Sequence, residues 1–300
     1  DGASLYVTGA APAGRVHIVE VPKGNVRDAI AVGHTPTAPV VSPDGKTLYV
    51  CNRFNNNVAV IDLAAKAVVA TIPVLREPVA AAITPDGTCL FVANLMPVGA
   101  ANGDYISASV SVIDTAEKKV AATVEFPNGS TSVRGVCVSP DGKYAYVTHI
   151  LARYQVPTTQ LERGWMNTNA MTIIDVAARK RLNTVLLDDV DLGAANPWGI
   201  ACTADGKFIC VTHAGTHELS VINWAGLLDK LTKIAAGQKV MPSASTTAAD
   251  VPNDLSFLVG LRRRIPLAGE GRRALALIGM QAYVAQYFSG SLDVVDITPE

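Results

Sequence analysis

The stretch Ser42-Pro43-Asp44-Gly45-Lys46-Thr47-Leu48-Tyr49-Val50-Cys51-Asn52 combines a tight turn with a short apolar strand, and Val58-Ala59-Val60-Ile61-Asp62 follows it. In such a turn proline presets φ, the aspartate side chain caps the backbone, and glycine supplies a positive φ. The two apolar runs are typical of neighbouring antiparallel strands. Because so small a sheet cannot bury both of its faces alone, we expect similar units beside it.

The same pattern returns along the chain, with three further well-formed copies and two degenerate ones. Its aromatic position, or the residue that replaces it, falls at Tyr6, Tyr49, Phe91, Tyr146, Cys210 and Tyr283, in steps of 43, 42, 55, 64 and 73 residues. A repeat of about 40 residues with four strands per unit is the signature of propeller blades. The sequence therefore predicts an all-β fold, a β-propeller of four-stranded antiparallel blades, with six repeats visible.

The motifs Tyr49-Val50-Cys51-Asn52, Phe91-Val92-Ala93-Asn94 and Tyr146-Val147-Thr148-His149 resemble those of the YVTN family of β-propeller repeats, over nearly the whole chain. The resemblance implies an extracytoplasmic bacterial protein, periplasmic or at the cell surface, and a ring of seven blades, with six as the alternative. We expect one propeller domain over residues 1–300 that is incomplete at both ends. Because the chain begins in mid-blade, a processed or trimmed N-terminus is expected.

Composition excludes several classes of function. Apolar residues make up 49% of the 300 residues, charged ones 17%, and the net charge is −1. The absence of basic runs argues against nucleic acid as a partner, and no apolar stretch is long enough to span a membrane. The five cysteines contain no CxxCH pattern, so this sequence carries no attachment site for a c-type haem. Cys202 and Cys210 lie on paired strands and could form a disulfide, or remain small buried hydrophobes.

Strand order sorts the loops into two faces. If the strands of each blade are labelled a to d from hub to rim, the b–c and d–a loops emerge together. We call this side the b–c/d–a face. Insertions are expected in b–c loops at 95–107 and 150–170, and in a c–d loop at 225–261, where a short helix is predicted. Rigid strands that present polar and aromatic residues on one face commonly form a binding site. The candidate ligand- or partner-binding residues on this face are His149, Arg153, Trp165, Asn167, Asn169, Trp198, His213, His217 and Arg272.

The histidines and arginines each allow two interpretations. His149 and His213 replace the asparagine that follows strand b in other repeats, so a structural hydrogen bond is one interpretation. Together with His217 they are also candidate metal ligands. The arginines of this face could bind a carboxylate, a haem propionate or a phosphate through bidentate contacts, or could be solvated. They are Arg53, Arg76, Arg134, Arg153, Arg272 and Arg273.

Three functions follow from these features. The first is a non-enzymatic extracytoplasmic scaffold that binds a ligand or a protein partner on the b–c/d–a face. The alternative is a propeller subunit or domain of a multi-haem oxidoreductase, because relatives in the resembling family often accompany di-haem peroxidase-like domains. Any haem would then belong to a partner, for example a c-type cytochrome. A metal-dependent propeller hydrolase is the third, although no catalytic residues can be assigned.

Overall fold

Six antiparallel sheets form the blades of the propeller. The computed structural model describes residues 2–153 and 166–299. Blade 1 contains β1 (Ser4–Gly9), β2 (Arg15–Glu20) and β3 (Val26–Ala31), and blade 2 contains β4 (Pro36–Val41), β5 (Thr47–Asn52), β6 (Asn57–Asp62) and β7 (Ala67–Pro73). Blade 3 contains β8 (Pro78–Ile83), β9 (Cys89–Asn94), β10 (Ser109–Asp114) and β11 (Lys119–Glu125).

The remaining blades contain the insertions. Blade 4 contains β12 (Ser130–Val138), β13 (Tyr144–Ala152), β14 (Asn167–Asp175) and β15 (Lys180–Leu186). Blade 5 contains β16 (Pro197–Cys202), β17 (Phe208–His213), β18 (Glu218–Asn223) and β19 (Arg262–Pro266). Blade 6 contains β20 (Arg272–Ile278), β21 (Gln281–Gln286) and β22 (Ser291–Asp296). One α-helix, α1 (Trp224–Ala235), and two 3₁₀ turns, Arg53–Asn55 and Val251–Asn253, complete the elements named here.

The predicted blade architecture is confirmed, and the number of blades is six. Blades 2 to 5 have four strands each, whereas blade 1 lacks strand a and blade 6 lacks strand d, as the repeat pattern indicated. The ring of seven that the family resemblance favoured is not supported, because the described residues form six sheets. The cause of the error is that blade number was taken from the resemblance, while the repeats themselves number six.

The aspartate turns explain why each repeat folds in the same way. In blade 2 the Ser42 hydroxyl donates to Asp44 (2.5 Å), and the same carboxylate accepts from the Lys46 amide (3.1 Å). The side-chain hydrogen bond is the main cause of the lowered pKa of Asp44. The equivalent turn of blade 5 is stabilised in the same way, since the hydroxyl of Thr203 lowers the pKa of Asp205 to about 2.

The hydrophobic core lies between the blades. Tyr49 and Val58 of blade 2 pack with Leu90 and Val92 of blade 3. Similar clusters lie between blades 1 and 2, 3 and 4, 4 and 5, and 5 and 6. Strands b and c of blades 2 to 5 are therefore buried on both faces. This burial explains the high apolar content of the sequence.

The insertion at 225–261 contains the predicted helix and packs against two blades. Helix α1 begins at Trp224, whose ring makes edge contacts with Tyr144 (4.9 Å between ring centroids) and Tyr146 (5.0 Å). Its buried side chains join the core between blades 4 and 5. The insertion at 150–170 partly extends the hairpin, because β13 and β14 each have nine residues.

The disulfide considered for Cys202 and Cys210 is not formed. All five cysteines are free thiols. Cys202 pairs with Ile209 across the hairpin, and Cys210 pairs with Ala201. The nearest thiol to Cys202 is instead Cys137 on the inner strand of blade 4, with 3.5 Å between the two sulfur atoms.

Candidate functional site

One residue from the start of each inner strand points into the central cavity. Strands β4, β8, β12, β16 and β20 all have an irregular register near their beginning, where they pair with strand b. Such bulges redirect a side chain away from the ladder. The residues at this position, which we call the hub ring, are Thr37, Val79, Arg134, Trp198 and Arg273, and all of them line one cavity of about 400 Å³.

Glycine allows the inner strands of blades 4, 5 and 6 to approach closely. A Cβ atom on Gly135 would lie 2.1 Å from the carbonyl oxygen of Trp198, and one on Gly199 would lie 2.6 Å from that of Arg273. Both distances are shorter than backbone contacts permit, so only glycine fits. Trp198 and Arg273 are therefore held against the blade that precedes each of them.

A threonine fixes each of these approaches. The Thr148 hydroxyl accepts from the Gly135 amide (3.0 Å) and donates to the Trp198 carbonyl (2.9 Å). Thr212, the equivalent residue of blade 5, accepts from the Gly199 amide at 2.9 Å. Both threonines are fully buried. The hub-ring residues of blades 4 to 6 thus lie on strands, and these hydrogen bonds hold the strands in place.

Two arginines flank one tryptophan on the hub ring. The guanidinium carbon of Arg134 lies 4.0 Å from the centroid of the Trp198 ring, and that of Arg273 lies 4.4 Å from the same centroid. Arg273 also lies 3.6 Å from the centroid of the Tyr287 ring. A guanidinium that stacks on an aromatic face keeps its N–H edge available for hydrogen bonds in its own plane.

The cavity carries unneutralised positive charge. Its third cation, Arg53, is paired with Glu77 at 2.8 Å. Arg134 and Arg273 form no ion pair with any residue in the described ranges, and the buried Nε of Arg273 has no hydrogen-bond partner there. Burial, followed by the positive charges of Arg273 and Arg53, lowers the pKa of Arg134. The site is thus built to attract an anion.

A second ring lies one layer further out, at the last residue of strand b in blades 2, 3, 5 and 6 and at the equivalent position of the longer strand β13 in blade 4. We call it the strand-end ring, and it consists of Asn52, Asn94, His149, His213 and Gln286. All five side chains are buried. This ring explains why the repeats vary between asparagine and histidine at one position, since each residue there bonds to neighbouring strands and loops.

Both histidines of this ring have a structural role. His213 donates from Nδ1 to the Ala194 carbonyl and accepts at Nε2 from the Ser220 hydroxyl, each at 2.8 Å. His149 makes the corresponding bonds to the Ile150 carbonyl (3.2 Å) and the Thr172 hydroxyl (2.8 Å). Burial lowers the pKa of both imidazoles to about 4. Both side chains are therefore neutral at pH 7.

The metal site considered for His149, His213 and His217 is not assembled. The ring nitrogens of the first two are occupied by the bonds just described, and His217 is an exposed turn residue with a φ of 59°. Within residues 2–153 and 166–299, no three His, Cys, Asp or Glu side chains are grouped so that they could hold a metal ion. The hydrogen-bonding alternative for His149 and His213 is the one that the structure shows.

The other sequence-predicted residues do not converge on one point. Asn169 is buried and binds the Asp188 carboxylate through its side-chain amide (2.8 Å), which fixes the d–a loop of blade 4. Asn167 is exposed at the beginning of β14. Arg153 lies beside a separate cavity at the rim, and Trp165 falls outside the described residues.

Trp198 and Arg272 lie on the inner strands of blades 5 and 6, but their side chains are in different environments. Arg272 is fully buried beside Gln286, and its side chain donates to the Leu267 carbonyl. Trp198 lies in the central cavity with Arg134 and Arg273. Sequence reasoning named both of these arginines among several, without selecting them. The signal that could have done so is their position directly before the small residue, Gly135 or Ala274, at which the inner strand resumes its pairing with strand b.

In residues 2–153 and 166–299, the large exposed aromatic side chains lie on the b–c/d–a face. The large exposed aromatics in the described part of the chain are Phe54, Tyr105, Tyr287 and Phe288, and each belongs to a b–c connection. Tyr287 is 62% exposed and Phe288 70% exposed. Sequence reasoning missed all four, although Phe54, Tyr287 and Phe288 lie within two residues of the end of a b strand and were visible for that reason.

Comparison with known proteins points to one kind of relative. No family model matches the chain. The hydrazine synthase subunit beta of Kuenenia stuttgartiensis is 32% identical over 192 residues, which are 63% of this chain and 47% of that protein. In the solved structure of Kuenenia stuttgartiensis hydrazine synthase, one chain superposes with a TM-score of 0.66 and 26% identity. The match covers 99% of this chain and 93% of the solved one. This chain is related to a hydrazine synthase subunit.

The two matches cover different shares of the similar proteins. The chain spans about half the length of the curated relative. The propeller itself is shared over almost its whole length with the solved chain. Among the described helices, none is long and apolar enough to cross a membrane.

Proposed function

We propose that this chain is the propeller subunit of a multi-subunit oxidoreductase of the hydrazine synthase kind. The observation that carries the proposal is the match over 99% of the chain to a solved hydrazine synthase chain, together with a curated relative that is a beta subunit. A subunit requires a surface for its partners. The b–c/d–a face supplies one.

The exposed aromatics support the choice of face. Tyrosine and phenylalanine are enriched at protein interfaces, where they bury large rigid surfaces at a small cost in side-chain entropy. Tyr287 and Phe288 stack edge to face with their ring centroids 5.1 Å apart, and Arg273 lies beneath them. Phe54 is 50% exposed and contacts His34 edge to face at 5.1 Å. These side chains are held by neighbours rather than free, as docking residues need to be.

The chemistry of such a complex would reside mainly on the partners. The 300 residues contain no CxxCH, so we propose that any haem is carried by a partner subunit, for example a c-type cytochrome. The propeller would then position and shield a partner's reaction centre. This places the chain in an enzyme complex without assigning catalytic residues to it.

Purification of the tagged chain from its native host tests the proposal. We expect it to co-elute on size exclusion with larger subunits that show the visible absorption of haem. A chain that elutes alone and colourless under gentle, low-salt conditions would contradict the proposal.

A matched pair of variants tests the face. We expect Tyr287→Ser with Phe288→Ser to weaken co-elution at least tenfold, because hot-spot aromatics each contribute about 2 kcal/mol. The control is Met241→Ser with Ile278→Ser, since these side chains are 72% and 67% exposed on the opposite side of the ring. Equal loss of partners in both variants would exclude the b–c/d–a face as the docking surface.

We further propose that the repeats are of the YVTN type and that the protein is extracytoplasmic. The repeated Tyr-Val-containing strands support the first statement, and the resemblance that they carry supports the second. Fractionation of host cells by osmotic shock would test the location. Recovery with cytoplasmic markers would contradict it.

A further inference from the structure

We infer that the central cavity is a binding site for a small aliphatic dicarboxylate. The two guanidinium groups of Arg134 and Arg273 and the indole of Trp198 would hold the carboxylates. The apolar residues on the other side of the cavity would contact the carbon chain. This inference is independent of the proposed function, because it concerns only residues within this propeller.

The charge of the site indicates a ligand with two negative charges. Of the three arginines that line the cavity, Arg53 is already neutralised by Glu77 at 2.8 Å. Arg134 and Arg273 contact the Trp198 ring, form no ion pair with any residue in the described ranges, and repel each other. A half-buried guanidinium without a counter-charge is unfavourable, so two carboxylates would complete the site.

The geometry separates those two charges. Arg134 and Arg273 are supplied by the blades on either side of blade 5, and both stack on Trp198, which that blade contributes. Trp198 belongs to blade 5, which lies between the blades that carry Arg134 and Arg273. Two carboxylates on one aliphatic ligand can therefore make bidentate contacts to both guanidinium groups more readily than one compact anion can. The Nε of Arg273 is enclosed and has no partner within the described ranges, so the terminal Nη groups of this guanidinium are the ones that would meet a carboxylate.

The rest of the lining is suited to carbon rather than to more charge. Val79, Leu95, Pro36 and Ala10 line the cavity on the side of blades 1 to 3. Its volume of about 400 Å³ is in the usual range for small-molecule sites. The hydroxyl-bearing Thr8 and Thr37 add two groups that can donate to carboxylate oxygens.

Calorimetry of the purified chain with succinate, at constant ionic strength, tests the inference. We expect one site per chain, accompanied by a change in tryptophan fluorescence because Trp198 contacts both arginines. Acetate should bind at least tenfold more weakly than succinate, since it engages one guanidinium only. Failure of succinate to bind at up to about 10 mM would overturn the inference. So would inorganic phosphate that binds more tightly than succinate, because it would indicate a single compact anion.

Variants locate the site. Arg134→Gln and Arg273→Gln should each weaken succinate binding by roughly tenfold or more, the value of a hydrogen-bonded charge. The control is Arg76→Gln, an arginine of the same face whose side chain is 54% exposed and does not line the cavity. Arg134→Lys retains the charge and loses the planar fork, so intermediate binding is expected. Near-UV circular dichroism shows whether Arg134→Gln is folded. A folded variant that binds succinate with wild-type affinity would overturn the assignment.

Discussion

The arginines of the hub ring and the histidines of the strand-end ring use their polar groups in opposite ways. In the strand-end ring, both nitrogens of His213 are bonded at 2.8 Å and the side chain is fully buried. In the hub ring, Arg134 and Arg273 contact aromatic rings and leave hydrogen-bonding capacity unused. Polar residues that are satisfied inside the protein hold the fold, whereas those left unsatisfied toward a cavity are available to a ligand.

This difference teaches how a repeat protein can acquire a site without altering its repeat. Blades 2 to 6 each have the same two positions, and the repeat constrains only the outer one. Blades 2 and 3 place Thr37 and Val79 on the hub ring, while blades 4 to 6 place Arg134, Trp198 and Arg273 there. One side of the cavity is therefore cationic and aromatic, and the other is mostly apolar.

Acid should destabilise the strand-end ring first, and this is the largest effect expected. The pKa of His149 and that of His213 are lowered from 6.5 to about 4 in the folded protein, mainly by burial. The unfolded chain therefore binds more protons between these values, so the free energy of unfolding should fall as pH decreases from 6.5 towards 4. The slope reaches at most about 3 kcal/mol per pH unit for the two groups together.

Urea unfolding between about pH 7 and pH 4.5 measures that slope. The variant His149→Gln with His213→Gln should lose most of it, whatever its stability at neutral pH. Asp254 contributes mainly at lower pH, because its pKa falls from 3.8 in the unfolded chain to about 2 in the folded protein. The pKa of Glu218 is lowered from 4.5, so this group adds to the slope near pH 4.5 in the wild type and in the variant alike, and the difference between the two slopes reports the histidines. An unchanged slope in the double variant would show that other groups titrate.

Removal of one strand-end imidazole should have the next largest effect. We expect His213→Ala to lower the free energy of unfolding by about 3–4 kcal/mol, because it creates a cavity and leaves the Ala194 carbonyl without its donor. Denaturant titration at neutral pH gives this value. His217→Asn is the control: that residue is exposed with a φ of 59°, which asparagine tolerates, so a change below about 0.5 kcal/mol is expected.

The blades could be predicted from sequence because their signals are local. The turn Ser42-Pro43-Asp44-Gly45 and the apolar strands beside it specify a hairpin within a dozen residues, and the structure repeats it in each well-formed blade. The strand ends and the missing strands of blades 1 and 6 were located for the same reason. No local signal sets the number of blades, and the family resemblance gave the wrong number.

The site could be predicted only in part, because it depends on contacts between blades. Sequence placed His149 and His213 on the correct face, but burial between strands makes them structural. The stack of Arg134, Trp198 and Arg273 joins residues 64 and 75 positions apart, and only the ring brings them together. A hydroxyl inside an otherwise apolar strand, as at Thr148, was the unused signal for a contact of this kind.

The hydrogen bonds of Thr148 should contribute less to stability than the strand-end imidazoles do. Thr148→Val keeps the shape of the side chain but removes the bonds to the Gly135 amide and the Trp198 carbonyl, both buried groups. We expect a loss of about 1–3 kcal/mol in denaturant titration. A shift in the tryptophan emission should accompany it, because Trp198 is no longer fixed. Thr148→Ser retains the hydroxyl and should restore the emission; if it does not, the hydrogen bonds are not what positions the indole.

The smallest change in stability is expected for a substitution in the hub ring, and it tests most directly the difference between the hub-ring arginines and the strand-end histidines. Arg134→Gln loses a cation–π contact of about 1 kcal/mol with Trp198 but also relieves the repulsion from Arg273. The stability of the ligand-free protein should therefore change by less than about 1 kcal/mol, against several for His213→Ala. A loss as large as that of the histidine variant, measured in the same buffer, would mean that Arg134 stabilises the fold. Residues kept for binding are commonly neutral or costly to stability, so a small gain would strengthen the distinction.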